Sequence, residues 1–381
     1  MRIAVVTETY PPEINGVALT VQNFVEQLSA LGHEVLLTRP RQPDAESPAL
    51  AHGVREHLVR GASLPRYAGL RFGLPSGAEL RRVWREHAPE AVYVATEGPL
   101  GWSAVAAAEA LGIPAATGFH TRFDDFVAHY GAGFLSPLVF AWLRRFHNRA
   151  QATLVPTRQL HAELAAKGFR HVRHLARGVD TSRFHPGKRS LELRKSWGLE
   201  PGQLAVIHVG RIAAEKNLAL LARAFHAIHS VRGEARCIIV GDGPALASLR
   251  ERHPEFVYAG MRQGEDLAAH FASGDLFLFP SLTETFGNVT LEAMASGVAT
   301  VAFDYGAARE HLRDGRSGAT VAFGNESAFV HAAIELALKD DLRQRCALAA
   351  LDTVQGLSQR AVAEALVQLL REANAPAARA A

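Results

Sequence analysis

An α/β fold of two doubly wound domains is predicted by three observations. The chain has 381 residues, too many for one ordinary core and enough for two. Short apolar runs of strand length alternate with segments of helical spacing along the whole chain. This rhythm occurs twice, on either side of a polar stretch carrying Pro and Gly, "GVDTSRFHPGKRS" at residues 178–190.

In the first half "RIAVVTE" reads as a buried strand, followed by the loop "TYPPEING", the helix "VALTVQNFVEQLSALGH" and the strand "EVLLT". "AVYVA", "PAATGF" and "ATLVP" fit further strands. In the second half "LAVIHVG", "RCIIVG", "FVYAG", "LFLFP" and "VATVAF" are strands, and "LALLARAFHAIHSV" is a helix. Strands that alternate with helices imply parallel sheets covered on both faces. The expected division is 1–185 and 186–355. A final segment, 356–381, holds a helix, "SQRAVAEALVQLLREA", able to pack back on the first domain, and a frayed tail, "NAPAARAA".

Composition narrows the function. Hydrophobic residues make up 48% and charged residues 21%, which is globular rather than disordered. Two cysteines, Cys237 and Cys346, are too few for a disulfide framework, and a reducing compartment is expected. The chain opens directly on a strand, so no leader peptide is expected. No apolar run reaches the length that crosses a bilayer. The expectation is a cytoplasmic protein, at most peripheral at the inner face of the membrane. Residues 1–189 hold 22 Lys+Arg against 16 Asp+Glu, a net +6, and the remainder holds 19 against 22, a net −3. A basic first half suits an anionic partner or an arginine-rich solvated surface. No aromatic-interleaved basic motif marks a nucleic-acid binder.

In open parallel sheets, ligands bind beyond the carboxyl ends of the strands. Three loops of the second half fall there. "GRIAAEKN", residues 210–217, offers Arg211 and Lys216 after the turn at Gly210. Two cations on one loop suit a diphosphate, with Arg gripping bidentately and Lys acting as a point charge. The alternative is a pair of surface cations at a helix start, where the helix dipole disfavours them. "GDGPAL" has G-x-G but Leu246 where a third Gly would stand, and it reads as a tight strand-to-helix turn. "TETFGNVTLEAMASG" places Gly287 before a helix, with Glu284 in the loop and Glu292 one turn in, on the face of Asn288. The amides of Gly287, Asn288 and Val289 are then free donors at a helix start, which is an anion site. The two carboxylates can accept hydrogen bonds from hydroxyls on either side. The alternative is a solvated Glu284 beside a dipole-favoured Glu292.

Together these residues resemble a known family. G-R-x4-K-N at residues 210–217, followed by E-x7-E from Glu284 to Glu292, is similar to the retaining nucleotide-sugar glycosyltransferases of the GT4 type. That family includes bacterial mannosyl-, glucosyl- and sulfoquinovosyltransferases. "YPPEINGVALTV" and "GFHTRFDDFVAHYG" carry the same resemblance, which covers nearly the whole chain. It is nearest to the branch acting on diacylglycerol or phosphatidylinositol-type lipids. One departure stands in "FDYGAAREHL", where the family's glycine pair is Gly306-Ala307 while Glu310 is kept.

The resemblance implies two Rossmann-like domains facing a cleft, the GT-B arrangement, with the nucleotide-sugar mainly on the second. Arg211 and Lys216 would neutralise the diphosphate, Glu292 would hold the ribose hydroxyls and Glu284 would contact the donor sugar. Amides from Gly287 to Val289 would bind phosphate or sugar. Gly210, Met261 and Phe286 would complete the donor site, with the base near "FVYAGMRQGED". Gly16 would allow close approach from the first domain, and His120 would face the sugar. The alternative for His120 is a satisfied core histidine, one of 18 in the chain, but its place at a strand's end favours the functional reading. No metal or cofactor is expected, since D-x-D is absent and no His/Cys cluster has zinc spacing. The implied reaction moves a mannosyl, glucosyl or glucuronosyl group to a hydroxyl acceptor, a lipid such as diacylglycerol or else a saccharide.

A basic amphipathic stretch, "FLSPLVFAWLRRFHNRAQ" with Arg144, Arg145 and Arg149, and nearby Arg66, Tyr67, Arg71 and Phe72 could touch an anionic membrane or simply pack on the sheet. Two other functions compete. An NAD-dependent oxidoreductase needs a full G-x-G-x-x-G, which neither "GDGPAL" nor "GAGFLS" supplies. A non-catalytic sugar-nucleotide-binding protein would keep the same residues without turnover.

Overall fold

The computed structural model describes residues 1–13, 15–42, 53–63, 71–120 and 136–374. Arg66, Tyr67, all of "TRFDDFVAHYG" and the tail from Ala375 lie outside the described residues. The chain divides into two compact units, Met1–Arg177 with Gln359–Ala381, and Gly178–Ser358.

In the first unit the strands are β1 (Arg2–Val6), β2 (Glu34–Pro40), β3 (Val54–Val59), a short antiparallel pair β4 (Gly61–Ser63) and β5 (Arg71–Gly73), then β6 (Ala91–Val94), β7 (Ala115–Gly118), β8 (Ala152–Val155) and β9 (Val172–His174). Seven of them form one parallel sheet in the order β3-β2-β1-β6-β7-β8-β9. Side chains alternate across a strand, so Ile3 and Val5 of β1 enter one core while Ala4 and Val6 enter the other. A strand that must bury both faces reads as a continuous apolar run, and "IAVV" is one. Asn15 caps the helix Gly16–Ala30 by accepting from the amides of Val17 and Ala18. That helix packs Val21, Phe24, Val25 and Leu28 onto the sheet, and the helix Gln359–Asn374 adds Val362, Leu366, Val367 and Leu370 to the same core.

The second unit holds β10 (Ala205–Val209), β11 (Arg236–Val240), β12 (Val257–Gly260), β13 (Leu276–Phe279), β14 (Ala299–Phe303) and β15 (Ala319–Val321). They form one parallel sheet in the order β12-β11-β10-β13-β14-β15. Residues 178–185 and 356–358 belong to this unit. Val179 and Phe184 are buried in its core, and the Val179 amide donates to the Leu357 carbonyl at 2.9 Å.

Each sheet changes its winding direction once, between β1 and β6 and between β10 and β13. At such a point the two flanking loops leave in opposite directions and open a crevice at the carboxyl ends of the strands. The loop after β10 carries Arg211 and Lys216, and the loop after β13 carries Glu284, so the expected site residues flank the switch point of the second unit.

The described residues include no helix long and apolar enough to cross a membrane. Both cysteines are free and buried.

Candidate functional site

The loop after β10 and the loop after β13 are tied together by main chain. The Leu282 amide donates to the Glu215 carbonyl at 2.8 Å, and the Ser281 hydroxyl reaches the same carbonyl at 3.4 Å. This brings Lys216 onto Glu284, 68 residues away, and their side chains form a direct ion pair, both largely covered. Ser281 Oγ donates to the same Glu284 oxygen at 2.8 Å, and Lys216 Nζ lies 5.5 Å from the centre of the Phe279 ring. The Tyr305 hydroxyl fixes the loop by donating to the Ser281 carbonyl at 2.9 Å. His208 lies buried beside Phe279. Burial above all pushes its pKa down to about 4, so it adds no charge beneath Lys216 at neutral pH.

Arg211 is exposed and has no partner among the described residues. The turn around Gly210 explains the neighbouring "GDG". A β-carbon on Gly241 would stand 1.9 Å from the Gly210 carbonyl oxygen, and one on Gly243 would stand 2.4 Å from that of Ile212. The two glycines let one strand-to-helix loop lie backbone-to-backbone on the other, which the amide of Ile212 completes by donating to Asp242 at 2.9 Å. The tight-turn reading of "GDGPAL" therefore has a packing cause.

Gly287 caps the helix Asn288–Ala295 at φ 93°, left-handed backbone that a residue with a β-carbon adopts at a cost. No side chain caps that helix, so its first amides keep no side-chain acceptor. Asn288 and Val289 are half-buried at its start. Glu292 is half-buried, and its carboxyl has no hydrogen-bond or ion-pair partner among the described residues. Burial raises its pKa to about 7, against a smaller opposing pull from Arg183. The carboxyl thus stands without a donor one turn into a helix whose start has no side-chain cap, with its acceptor oxygens unused among the described residues.

The remaining expected donor residues divide. Met261 is 48% exposed just beyond β12. Phe286 puts its side chain in the core, its ring edge-on to His311, and offers the main chain instead: its carbonyl accepts from the Ala307 amide at 2.7 Å. Ala307, which stands where the family has a second glycine, has its methyl fully buried.

In the first unit Gly16 is exposed and is the first residue of a helix rather than part of the preceding loop. His120 is buried with both ring nitrogens engaged. Arg177 donates to Nδ1, and Nε2 lies 2.6 Å from the Tyr93 hydroxyl. A guanidinium can only donate, so Nδ1 must carry the lone pair and Nε2 the proton. Burial, then the charges of Arg177 and His147, hold the ring pKa well below its ordinary value. His120 is thus a neutral hydrogen-bond donor through Nε2. Its fixing residues, Tyr93 and Arg177, carry no sequence signal, since Arg177 is 57 positions away.

Glu8 was also silent in the sequence. It is buried just beyond β1, accepts from the amides of Leu100 at 2.8 Å and Gly101 at 3.4 Å, and has its pKa raised to about 7, chiefly by burial. It caps the helix Pro99–Leu111, whose own Gly98 cap has no side chain to do so.

Comparison with known proteins decides the family. Residues 14–183 match the family described as Glycosyltransferase Family 4, and residues 203–339 match Glycosyl transferases group 1. The GDP-mannose-dependent alpha-mannosyltransferase of Corynebacterium glutamicum is 35% identical over 97% of this chain and 88% of its own length. The chain belongs to the family 4 glycosyltransferases. The alpha-monoglucosyldiacylglycerol synthase of Streptococcus pneumoniae is 25% identical over 79% of this chain and 71% of that protein. The fold agrees: sucrose-phosphate synthase from Thermosynechococcus elongatus superposes with a TM-score of 0.79 at 17% identity, covering 97% of this chain and 98% of that one.

This glycosyltransferase is therefore an enzyme that transfers hexosyl groups, on two Rossmann-like units of the GT-B class. The oxidoreductase and non-catalytic readings fall with that assignment. What the sequence missed in the site is its internal bracing. Ser281, Tyr305 and Glu215 hold the Lys216–Glu284 pair, and only Ser281 lies close enough in sequence to Glu284 to have been suspected.

Proposed function

We propose that this glycosyltransferase moves a mannosyl group from GDP-mannose to the hydroxyl of a lipid acceptor such as diacylglycerol, with retention of anomeric configuration and without a metal ion. The observation that carries the donor half is the pairing of Lys216 with Glu284 at a switch point that also holds Arg211, an uncapped helix start and the unpartnered Glu292. Arg211 and Lys216 take the diphosphate, supported by the amides at Gly287, Asn288 and Val289. Glu292 accepts the ribose hydroxyls. Glu284, held by Ser281, accepts from the sugar. Lys216 then bridges the sugar-binding carboxylate and the leaving diphosphate, so negative charge that grows on the phosphate in the transition state meets a cation already in place. No protein nucleophile is required, because the acceptor hydroxyl enters on the face the diphosphate leaves and gives its proton to a phosphate oxygen.

The mannosyl donor is supported by the relative in Corynebacterium glutamicum, and the lipid acceptor by the diacylglycerol-linked relative in Streptococcus pneumoniae. A surface of this chain supports the second point. The helix Ser136–His147 buries Leu143, Phe146 and His147, while Leu138 at 69% exposure and Trp142 at 44% face outward beside exposed Arg144 and Arg145. The two expectations for this helix are compatible: one face packs and the other is apolar with a basic edge, suited to an anionic bilayer surface.

The test is a thermal-shift panel of GDP, UDP and ADP, followed by transfer assays with GDP-mannose and UDP-glucose on diacylglycerol in mixed micelles. A nucleotide that binds the folded state alone raises the melting temperature. GDP should give the largest rise, and GDP-mannose should yield an α-mannosyl lipid in the presence of EDTA. Stabilisation by UDP alone, an inverted product, or loss of transfer on chelation would each overturn part of this reading.

A further inference from the structure

A second cluster lies at the amino end of the second unit's edge strand β12. His226 is on the helix Leu218–Val231, His253 ends the helix Leu246–Arg252, and Glu255 sits in the turn entering β12. The donor loops follow the carboxyl ends of the strands, whereas Glu255 precedes β12, so this cluster takes no part in the site above. One ligand atom from each of the three residues lies within 4.8 Å of the other two. His226 Nε2 is 2.9 Å from Glu255 Oε1, and His253 Nδ1 is 3.4 Å from the same oxygen.

These spacings suit a metal ion. A tetrahedral zinc with bonds of about 2.0–2.1 Å separates its ligands by about 3.3 Å, and the two separations to Glu255 Oε1 bracket that length. The third, between the imidazoles, is within 4.8 Å, and the His226 ring is exposed enough to adjust. The His253 ring is held in place: it stacks on Phe256 at 4.8 Å and 9°, and its backbone carbonyl accepts from the Tyr258 hydroxyl at 2.9 Å and the Phe256 amide at 3.2 Å. His226 and Glu255 are each 48% exposed, so an ion reaches them from solvent. Two imidazoles and one carboxylate favour zinc-type divalent ions over magnesium or calcium, which prefer all-oxygen shells.

We propose that His226 Nε2, His253 Nδ1 and one Glu255 oxygen form a zinc-type site, with water in the fourth position, that clips the helix Leu218–Val231 to the turn feeding the edge strand β12. The site stabilises the fold and does no chemistry.

The test uses the untagged full chain, freed of metal by chelator and dialysis. Zinc chloride is titrated calorimetrically, and melting curves are recorded at a hundredfold excess over the measured dissociation constant. The proteins are the wild type, His226→Gln, Glu255→Gln and, as a control, His229→Gln, an exposed neighbour on the same helix. One zinc per chain and a raised melting temperature are expected for the wild type and His229→Gln. Affinity should fall at least tenfold for His226→Gln and Glu255→Gln, and magnesium chloride should bind none of the four. Absence of zinc binding in the wild type, or equal affinity in all four proteins, overturns the site. Sugar transfer is not the readout, so the outcome is independent of the donor and acceptor proposed above.

Discussion

Glu292→Gln tests whether the second carboxylate of E-x7-E waits uncharged for the donor. Its folded pKa is about 7 against an ordinary value of 4.5. The unfolded chain therefore loses this proton near pH 4.5, while the folded chain keeps it until about 7. Between those values the native state binds more protons than the unfolded one, so stability falls as pH rises, and the full stabilisation exists only below the unfolded pKa. Linkage over pH 5.5 to 8 gives a loss of roughly 2 kcal/mol from this group. For a unit of this size that is a melting-temperature change of about 4–8 °C. Gln cannot ionise, so the variant should lack this component while retaining the parallel contribution of Glu8, which cancels in the comparison. The assay is a set of melting curves for both proteins at half-unit pH steps. A calorimetric arm measures GDP binding at pH 7 in two buffers of different ionisation enthalpy. Hydroxyls that donate to Glu292 favour its charged form, so the wild type should expel about half a proton per nucleotide and the variant almost none. Identical pH slopes in the two proteins, or equal proton release, would refute the assignment of Glu292 as a donor-facing carboxyl.

Other outcomes follow from the same geometry. Lys216→Ala strips the cation from Glu284 and from the diphosphate, and kcat should fall about a hundredfold, roughly 3 kcal/mol, with circular dichroism unchanged. Arg177→Met removes the donor that fixes His120 Nδ1. The ring pKa should rise toward its ordinary value, and 15N NMR should report a mixed tautomer in place of Nε2–H. Trp142→Asp should reduce sedimentation with anionic vesicles several-fold while leaving GDP-induced thermal stabilisation intact.

The central strands and the doubling of the fold were legible because those segments are continuous apolar runs, as in "IAVV" and "LFLF", whereas the edge strands β3, "VREHLV", and β9, "VRH", carry no such run and were not foreseen. A fully covered parallel sheet leaves no polar alternation to blur the signal. Lys216 and Glu284 were legible as neighbours because both loops leave the carboxyl ends of strands. Contacts across long sequence separations were not. Glu8 reaches the amide of Leu100, 92 positions on, and Arg177 reaches His120, because strand order sets these distances and no local pattern encodes strand order. At Phe286 the motif could not say which part of the residue serves the turn: its ring belongs to the core, and its carbonyl accepts from the Ala307 amide.

The route of the chain has a consequence for biogenesis. Residues 178–358 form a complete body whose two ends meet, Val179 bridging to Ser358. The first body, by contrast, lacks Val362, Leu366, Val367 and Leu370 until the last helix has left the ribosome. The later-made segment is thus the earlier to finish, nested inside a partner that stays open at one seam during translation. A nonsense mutation near residue 358 would spare the nested segment and strand the one that encloses it.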